Sequence, residues 1–249
     1  VTKSTVSGTR EWAASSVNVM LGCSHDCRYC YARSAAHRVG RVKGEWTDEI
    51  VQPNLLAKGF GKRKGTVMFP TQHDITPGNL PFTSEILRRL LAAGNDVLVV
   101  SKPHRDVIME LCALLDEYKD QILFRFTIGS RNDRTLALWE PGAPGYRERL
   151  SALKYARNAG FATSVSMEPM LDTDEEHIVE TFYELAPFVT DAIWLGKMNK
   201  AIERLTHNGF GGDEELMDAA TMLMASQSDE RIHTLYARLM DEPKVKWKE

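Results

Sequence analysis

Along the chain, short apolar runs alternate with longer stretches in which apolar residues recur every three or four positions. The runs "SVNVML" (Ser16–Leu21), "TVMF" (Thr66–Phe69) and "DVLVVS" (Asp96–Ser101) have the length and β-branched content of buried strands. So do "QILFRFTIGS" (Gln121–Ser130), "FATSVSME" (Phe161–Glu168) and "DAIWLGK" (Asp191–Lys197). Between them, "FTSEILRRLLAAG" (Phe82–Gly94) carries a Thr/Ser start, a helical stripe and a glycine stop. "RDVIMELCALLDEY", "YRERLSALKYARNAG" and "DEEHIVETFYELAPF" repeat the helical period, the last with acids in its first turn that suit the helix dipole. About six strand-then-helix units follow, which predicts an α/β fold with a parallel sheet and helices packed outside it. Six units fall short of the eight of a closed barrel, leaving a partial (β/α)6 barrel or a doubly wound sheet. The barrel is expected over 1–212. A short C-terminal helical extension is expected over 213–249, ending in "KVKWKE", a tail that is either solvated or anchored by Trp247.

In either fold, function gathers at the carboxyl ends of the strands. Those ends carry "TQHD" (Thr71–Asp74), "SKPH" (Ser101–His104), "TIGSRND" (Thr127–Asp133), "SMEP" (Ser166–Pro169) and "GKMN" (Gly196–Asn199). Each is rich in hydrogen-bonding groups. The first strand is followed by "GCSHDCRYCYAR" (22–33), which holds three of the chain's four cysteines.

The chain has 249 residues and a formal net charge of −3, so overall charge gives no support to nucleic-acid binding. No apolar run approaches the ~20 residues that span a bilayer. The polar N-terminal stretch 1–12 lacks an apolar signal core, so a cytoplasmic protein is expected. There, clustered cysteines read as metal ligands or redox groups sooner than as disulfides. A structural zinc normally takes four protein ligands, with His37 the conceivable fourth and His25 too near Cys23 and Cys27. Iron–sulfur clusters are also held by thiolates, and three would leave one iron open to a ligand. Cys112 falls on the apolar stripe of a helix and reads as an ordinary buried cysteine. The basic loop "GFGKRKG" (Gly59–Gly65) lacks the P-loop spacing and reads as solvated.

The spacing C-x3-C-x2-C, with Tyr29 before the last cysteine and a strand before the loop, resembles the radical S-adenosylmethionine (SAM) superfamily. The wider set "FPTQHDITPGNL", "VLVVSKPH", "FRFTIGS", "SVSMEPML" and "WLGKMN" is similar to its spore photoproduct lyase-like branch. The resemblance implies a partial (β/α)6 barrel and a [4Fe–4S] cluster on Cys23, Cys27 and Cys30. It also implies SAM cleaved to a 5′-deoxyadenosyl radical, and a reductant protein such as flavodoxin or ferredoxin. Carried over by position, Tyr29 and Tyr31 lie near SAM, Lys102 holds its carboxylate, and Thr127 or Ser130 is the polar residue ending the fourth strand. His73 or Thr71 stands where a polar cofactor contact follows the second strand, in place of the superfamily's usual Gly-Gly-Glu. Glu168 is expected to contact a ligand or to pair with Lys102 or Lys197, while Lys197 and Asn199 face the substrate. With no cysteine free to serve as hydrogen donor, lesion repair by the lyase's route is disfavoured. The opposing reading is a non-enzymatic zinc or iron–sulfur protein that binds nucleotide or nucleic acid.

Overall fold

The computed structural model describes residues 8–42 and 44–248; the first seven residues of the polar N-terminal stretch and the last of the tail lie outside them. Nine strands are present among the described residues. They are β1 (Ser15–Ser16), β2 (Met20–Leu21), β3 (Ile50–Val51), β4 (Val67–Phe69), β5 (Val97–Ser101), β6 (Ile122–Thr127), β7 (Ala162–Met167), β8 (Ile193–Leu195) and β9 (Val245–Trp247). Seven form one sheet in the order β1-β4-β5-β6-β7-β8-β9, every pairing parallel. The sheet is open, with β1 and β9 at its edges, as a partial barrel requires. The expected α/β class and parallel strands are therefore present.

Among the described residues there are ten α-helices: α1 (Tyr31–Arg38), α2 (Pro53–Ala57), α3 (Leu80–Ala92), α4 (Arg105–Leu114), α5 (Asp133–Trp139), α6 (Tyr146–Asn158), α7 (Glu175–Leu185), α8 (Ala201–His207), α9 (Glu214–Ser226) and α10 (Asp229–Leu239). Their amphipathic stripes explain their packing. In α3 the buried set is Leu80, Thr83, Ile86, Leu87, Leu90 and Leu91, and each fully buried Leu or Ile contributes about 2 kcal/mol. Polar caps start several helices, including Asp174, which accepts from Glu176 N at 2.9 Å, and Asp213, which accepts from Leu216 N at 3.1 Å.

The structure corrects the sequence reading at the first strand and decides between the two readings of the tail. The run Ser16–Leu21 is not one strand: Ser15–Ser16 joins the main sheet, and Met20–Leu21 pairs antiparallel with β3. Asn18 causes the break, because its Oδ1 accepts from Thr71 N (2.6 Å) and Gln72 N (2.8 Å), bonds that a continuing strand would make with its backbone. At the other end Val245–Trp247 forms a strand beside β8, and Trp247 is half-buried against the core. Lys248, just beyond it, donates to Gly8 O (2.9 Å) and pairs with Glu11 (2.8 Å). Its ammonium stands 3.6 Å from the Trp12 ring centroid. Lys248 thus joins the segment after β9 to residues 8–12.

Candidate active site

A cavity of about 740 Å³ opens at the carboxyl end of the sheet. Every segment predicted to end there contributes to its wall: Thr71–Asp74 after β4, Lys102 after β5, Thr127 at the end of β6, Glu168 after β7, Lys197 and Asn199 after β8. Cys23, Cys27, Cys30, Tyr29 and Tyr31 line it from the cysteine loop. None of the three cysteines is in a disulfide.

The loop is held from several sides. Gly22 has φ +97°, and a Cβ there would stand 2.4 Å from Trp46 O, so only glycine lets the chain turn beneath that carbonyl. Cys23 N donates to the same carbonyl at 2.8 Å. Glu49 accepts from Ser24 N and Oγ (both 3.0 Å), and its other oxygen accepts from Thr76 Oγ1 (2.9 Å), tying the loop to the segment after β4. Arg28 N donates to Trp139 O (2.9 Å) and Gly142 N to His25 O (3.1 Å). Two backbone N–H groups point at thiols, Asp74 N at Cys23 Sγ and Arg33 N at Cys30 Sγ, both at 3.4 Å.

Behind the thiols lies a buried charge network. Asp74 accepts from Lys102 N (2.7 Å) and Ser101 Oγ (3.0 Å), and stands 2.9 Å from His25 Nδ1 and 3.5 Å from Lys102 Nζ. Lys102 Nζ is 3.9 Å from Glu140, which pairs with Arg149 at 2.6 Å and accepts from the Tyr29 hydroxyl. Burial alone would raise the Asp74 carboxyl, but Lys102 and His25 outweigh it and hold it well below the carboxylate range. Burial would likewise lower Lys102, and Asp74 with its neighbours holds it well above the usual lysine value. Burial pushes all three thiols up, and the Lys102 charge counters this at Cys27 and Cys30.

The predicted residues fall into three groups. Tyr31, Thr71, Thr127, Glu168, Lys197 and Asn199 stand on the cavity wall. Among them Tyr31 donates to Thr71 O, and Lys197 pairs with Asp229 at 2.7 Å. Tyr29, His73 and Lys102 also line the cavity, with their polar atoms already engaged. His73 Nε2 accepts from Val19 N (3.2 Å) and its Nδ1–H donates to Asp74 O (2.9 Å), which fixes a neutral ring. Ser130 is off the wall, donating to Asp172 at 2.7 Å, and His37 is exposed on α1. Glu168 does not pair with Lys102 or Lys197, because Lys102 is taken by Asp74 and Glu140 and Lys197 by Asp229. Its Oε2 is buried without a hydrogen-bond partner, and burial raises its carboxyl. Sequence reasoning missed Asp74, Glu140, Arg149 and Glu49 as parts of the site. Asp74 was legible as the end of "TQHD"; Glu140, in "LWEPG", carries no local signal.

A model of the radical SAM superfamily matches residues 17–186, more than half the chain. The chain belongs to the radical SAM superfamily. It is 29% identical over 172 residues to an uncharacterized protein, ORF301, of Acidianus two-tailed virus, a match covering 64% of this chain and 56% of that one. A point mutant of spore photoproduct lyase with dinucleoside spore photoproduct superimposes with a TM-score of 0.55 at 14% identity, covering 94% of this chain and 75% of that one. Streptococcus suis SuiB bound to S-adenosylmethionine gives 0.55 at 8% identity, over 94% and 50%. The chain thus spans about half the length of the viral relative and of SuiB, and the structural likenesses establish the shared fold.

The donor set fits the cluster of a radical SAM protein. Among the described residues, the trio of ligand atoms within 4.8 Å of one another is Cys23, His25 and Asp74, not the three cysteines. A single zinc with thiolates at about 2.3 Å would draw their sulfurs to about 3.8 Å apart. Three free thiols lining one wall more loosely suit a multi-iron centre. Within the tight trio, His25 Nδ1 stands 2.9 Å from Asp74 and its Nε2 3.0 Å from His104 Nε2.

Proposed function

We propose that this chain is a radical SAM enzyme in which Cys23, Cys27 and Cys30 hold a [4Fe–4S] cluster and the cavity beside them holds SAM. The observation that carries this reading is three free thiols on the wall of one large cavity in a chain of that superfamily. When bound, the cluster and SAM together supply a 5′-deoxyadenosyl radical that abstracts a hydrogen atom from substrate.

The protein's own residues then have separable tasks. Lys102, fixed between Asp74 and Glu140, keeps a positive charge that partly offsets the effect of burial on the Cys27 and Cys30 thiols. Tyr31, Thr71 and Thr127 offer the cofactor a polar wall; in support, Thr127 lines the cavity while Ser130 bonds Asp172. Glu168 offers a ligand its Oε2, which has no hydrogen-bond partner, and Lys197 and Asn199 flank the substrate's approach. An electron donor of the flavodoxin or ferredoxin class supplies the reducing equivalent. The lyase-like branch is supported by the strand-end motifs and the shared fold. Thymine-lesion repair through a cysteine donor is not supported, since Cys112 is buried in α4 and off the cavity wall.

Anaerobic purification and reconstitution test the reading. A brown protein with about four irons and four sulfides per chain is expected, cleaving SAM once reduced. Replacing Cys27 by Ala should abolish both. A colourless wild-type protein with stoichiometric zinc would sink the proposal.

A further inference from the structure

The cysteine loop is gripped on its outer side by a residue beyond the matched family region. Asn208 follows α8 and is 4% exposed. Its side-chain amide bonds the loop and the first turn of α1. Nδ2 donates to Arg28 O (2.8 Å) and Cys30 O (3.1 Å), and Oδ1 accepts from Ser34 Oγ (2.8 Å). The opposite amide orientation would set an oxygen against two carbonyls, so the partners fix which end points where. Two residues on, the Phe210 ring lies beneath the guanidinium groups of Arg28 (4.5 Å) and Arg33 (5.0 Å). Both arginines pair with Asp26 at 2.7 Å. Residues 208–210 therefore grip the backbone and the side chains of the segment that carries Cys27 and Cys30.

Asparagine is not required here by the helix end. The backbone N–H of Asn208 already bonds Arg204 O at 2.9 Å, and its φ of −86° is ordinary. The left-handed turn is made by Gly209, at φ +89°. The amide's remaining purpose is the loop.

We infer that Asn208 is a positioning residue for the cluster loop, fixing the backbone around Cys27 and Cys30 so that both thiols are set before metal arrives. The inference rests on the proposed function for the meaning of the loop, but its first test needs no metal. In metal-free, reduced protein, the alkylation rate of each cysteine is read by peptide mass spectrometry, with Cys112 in α4 as internal reference. Asn208→Ala should speed labelling of Cys27 and Cys30 about tenfold, since two hydrogen bonds to the loop are lost, and leave Cys112 unchanged. Asn208→Asp keeps the size and the acceptor for Ser34 but turns a carboxylate on two carbonyls, and should do at least as much. In reconstituted protein, both variants should alter the electron paramagnetic resonance signal of the reduced cluster. Labelling that is unchanged, that rises equally at Cys112, or that Asn208→Asp leaves at the wild-type rate overturns the assignment, as does a wild-type resonance signal. If the wild-type chain takes up no iron, the proposed function fails at that step, while the labelling rates still decide whether Asn208 holds the loop.

Discussion

Glu140 and Arg149 are both fully buried and 2.6 Å apart, which makes each the other's condition for being charged. Burial would raise the Glu140 carboxyl, but Arg149 and then Lys102 outweigh it and hold it below the usual glutamate value. A carboxylate depressed on folding contributes stability above its unfolded pKa of about 4.3 and loses it as pH falls through the lower folded value. Glu140→Gln should therefore cost about 3 kcal/mol at neutral pH by leaving Arg149 unpaired. That corresponds to a fall of about 6–12 °C in melting temperature. Melts between about pH 7 and pH 3 check the sign: the gap between wild type and variant should narrow below about pH 4. A gap constant with pH would contradict this account of the pair.

At the scale of elements, the cysteine loop behaves as a part clamped by its neighbours. Glu49 reaches it from the turn before β3, Trp139 from the end of α5, Gly142 from the connection between α5 and α6, and Asn208 from the end of α8. The tightest approach is at Gly142, where a Cβ would stand 2.1 Å from Ser24 O and 3.1 Å from His25 Cα. Neither is the far end of a flexible side chain, so one of the two segments must move. Gly142→Ala should destabilise the protein by about 1–3 kcal/mol, as overpacking does. It should also lower the iron retained per reconstituted chain by about half or more. Gly59→Ala, where a Cβ meets nothing within 4 Å, should leave both at wild-type levels.

For the molecule as a whole, the open sheet leaves β1 and β9 as its two edges. β9 covers the β8 edge and places Lys248 on the cavity wall, where it holds Gly8 and Glu11. Trp12 then lies between Lys248 (3.6 Å) and Arg125 (5.0 Å), and Arg125 also stacks on Trp194 (5.1 Å). Removing residues 244–249 should cost about 2–4 kcal/mol through lost strand pairing and lost burial of Trp247. Differential scanning fluorimetry would show a fall of about 10 °C, and the bared β8 edge should promote association at high concentration. Among the described residues no helix is long and apolar enough to cross a membrane.

The alternation of apolar runs with helical stripes determined the parallel α/β architecture, because both periods record burial locally in the chain. Three cysteines in eight positions determined the likeness to the radical SAM superfamily, because ligands on one short loop converge without help from distant segments. The strand-end rule then located the cavity, and it drew Thr71, Lys102, Thr127, Glu168 and Lys197 from five separate strand ends. Tertiary structure alone decided what those groups bond to. Lys102 is bound to Asp74 and Glu140, Glu168 Oε2 is left without a hydrogen-bond partner, and Ser130 turns away to Asp172. It also made a strand of a lysine-rich tail and brought Asn208 to a loop some 180 residues earlier in the chain. Such pairings depend on side chains meeting across the fold, and a meeting of that kind leaves no periodicity for the sequence to display.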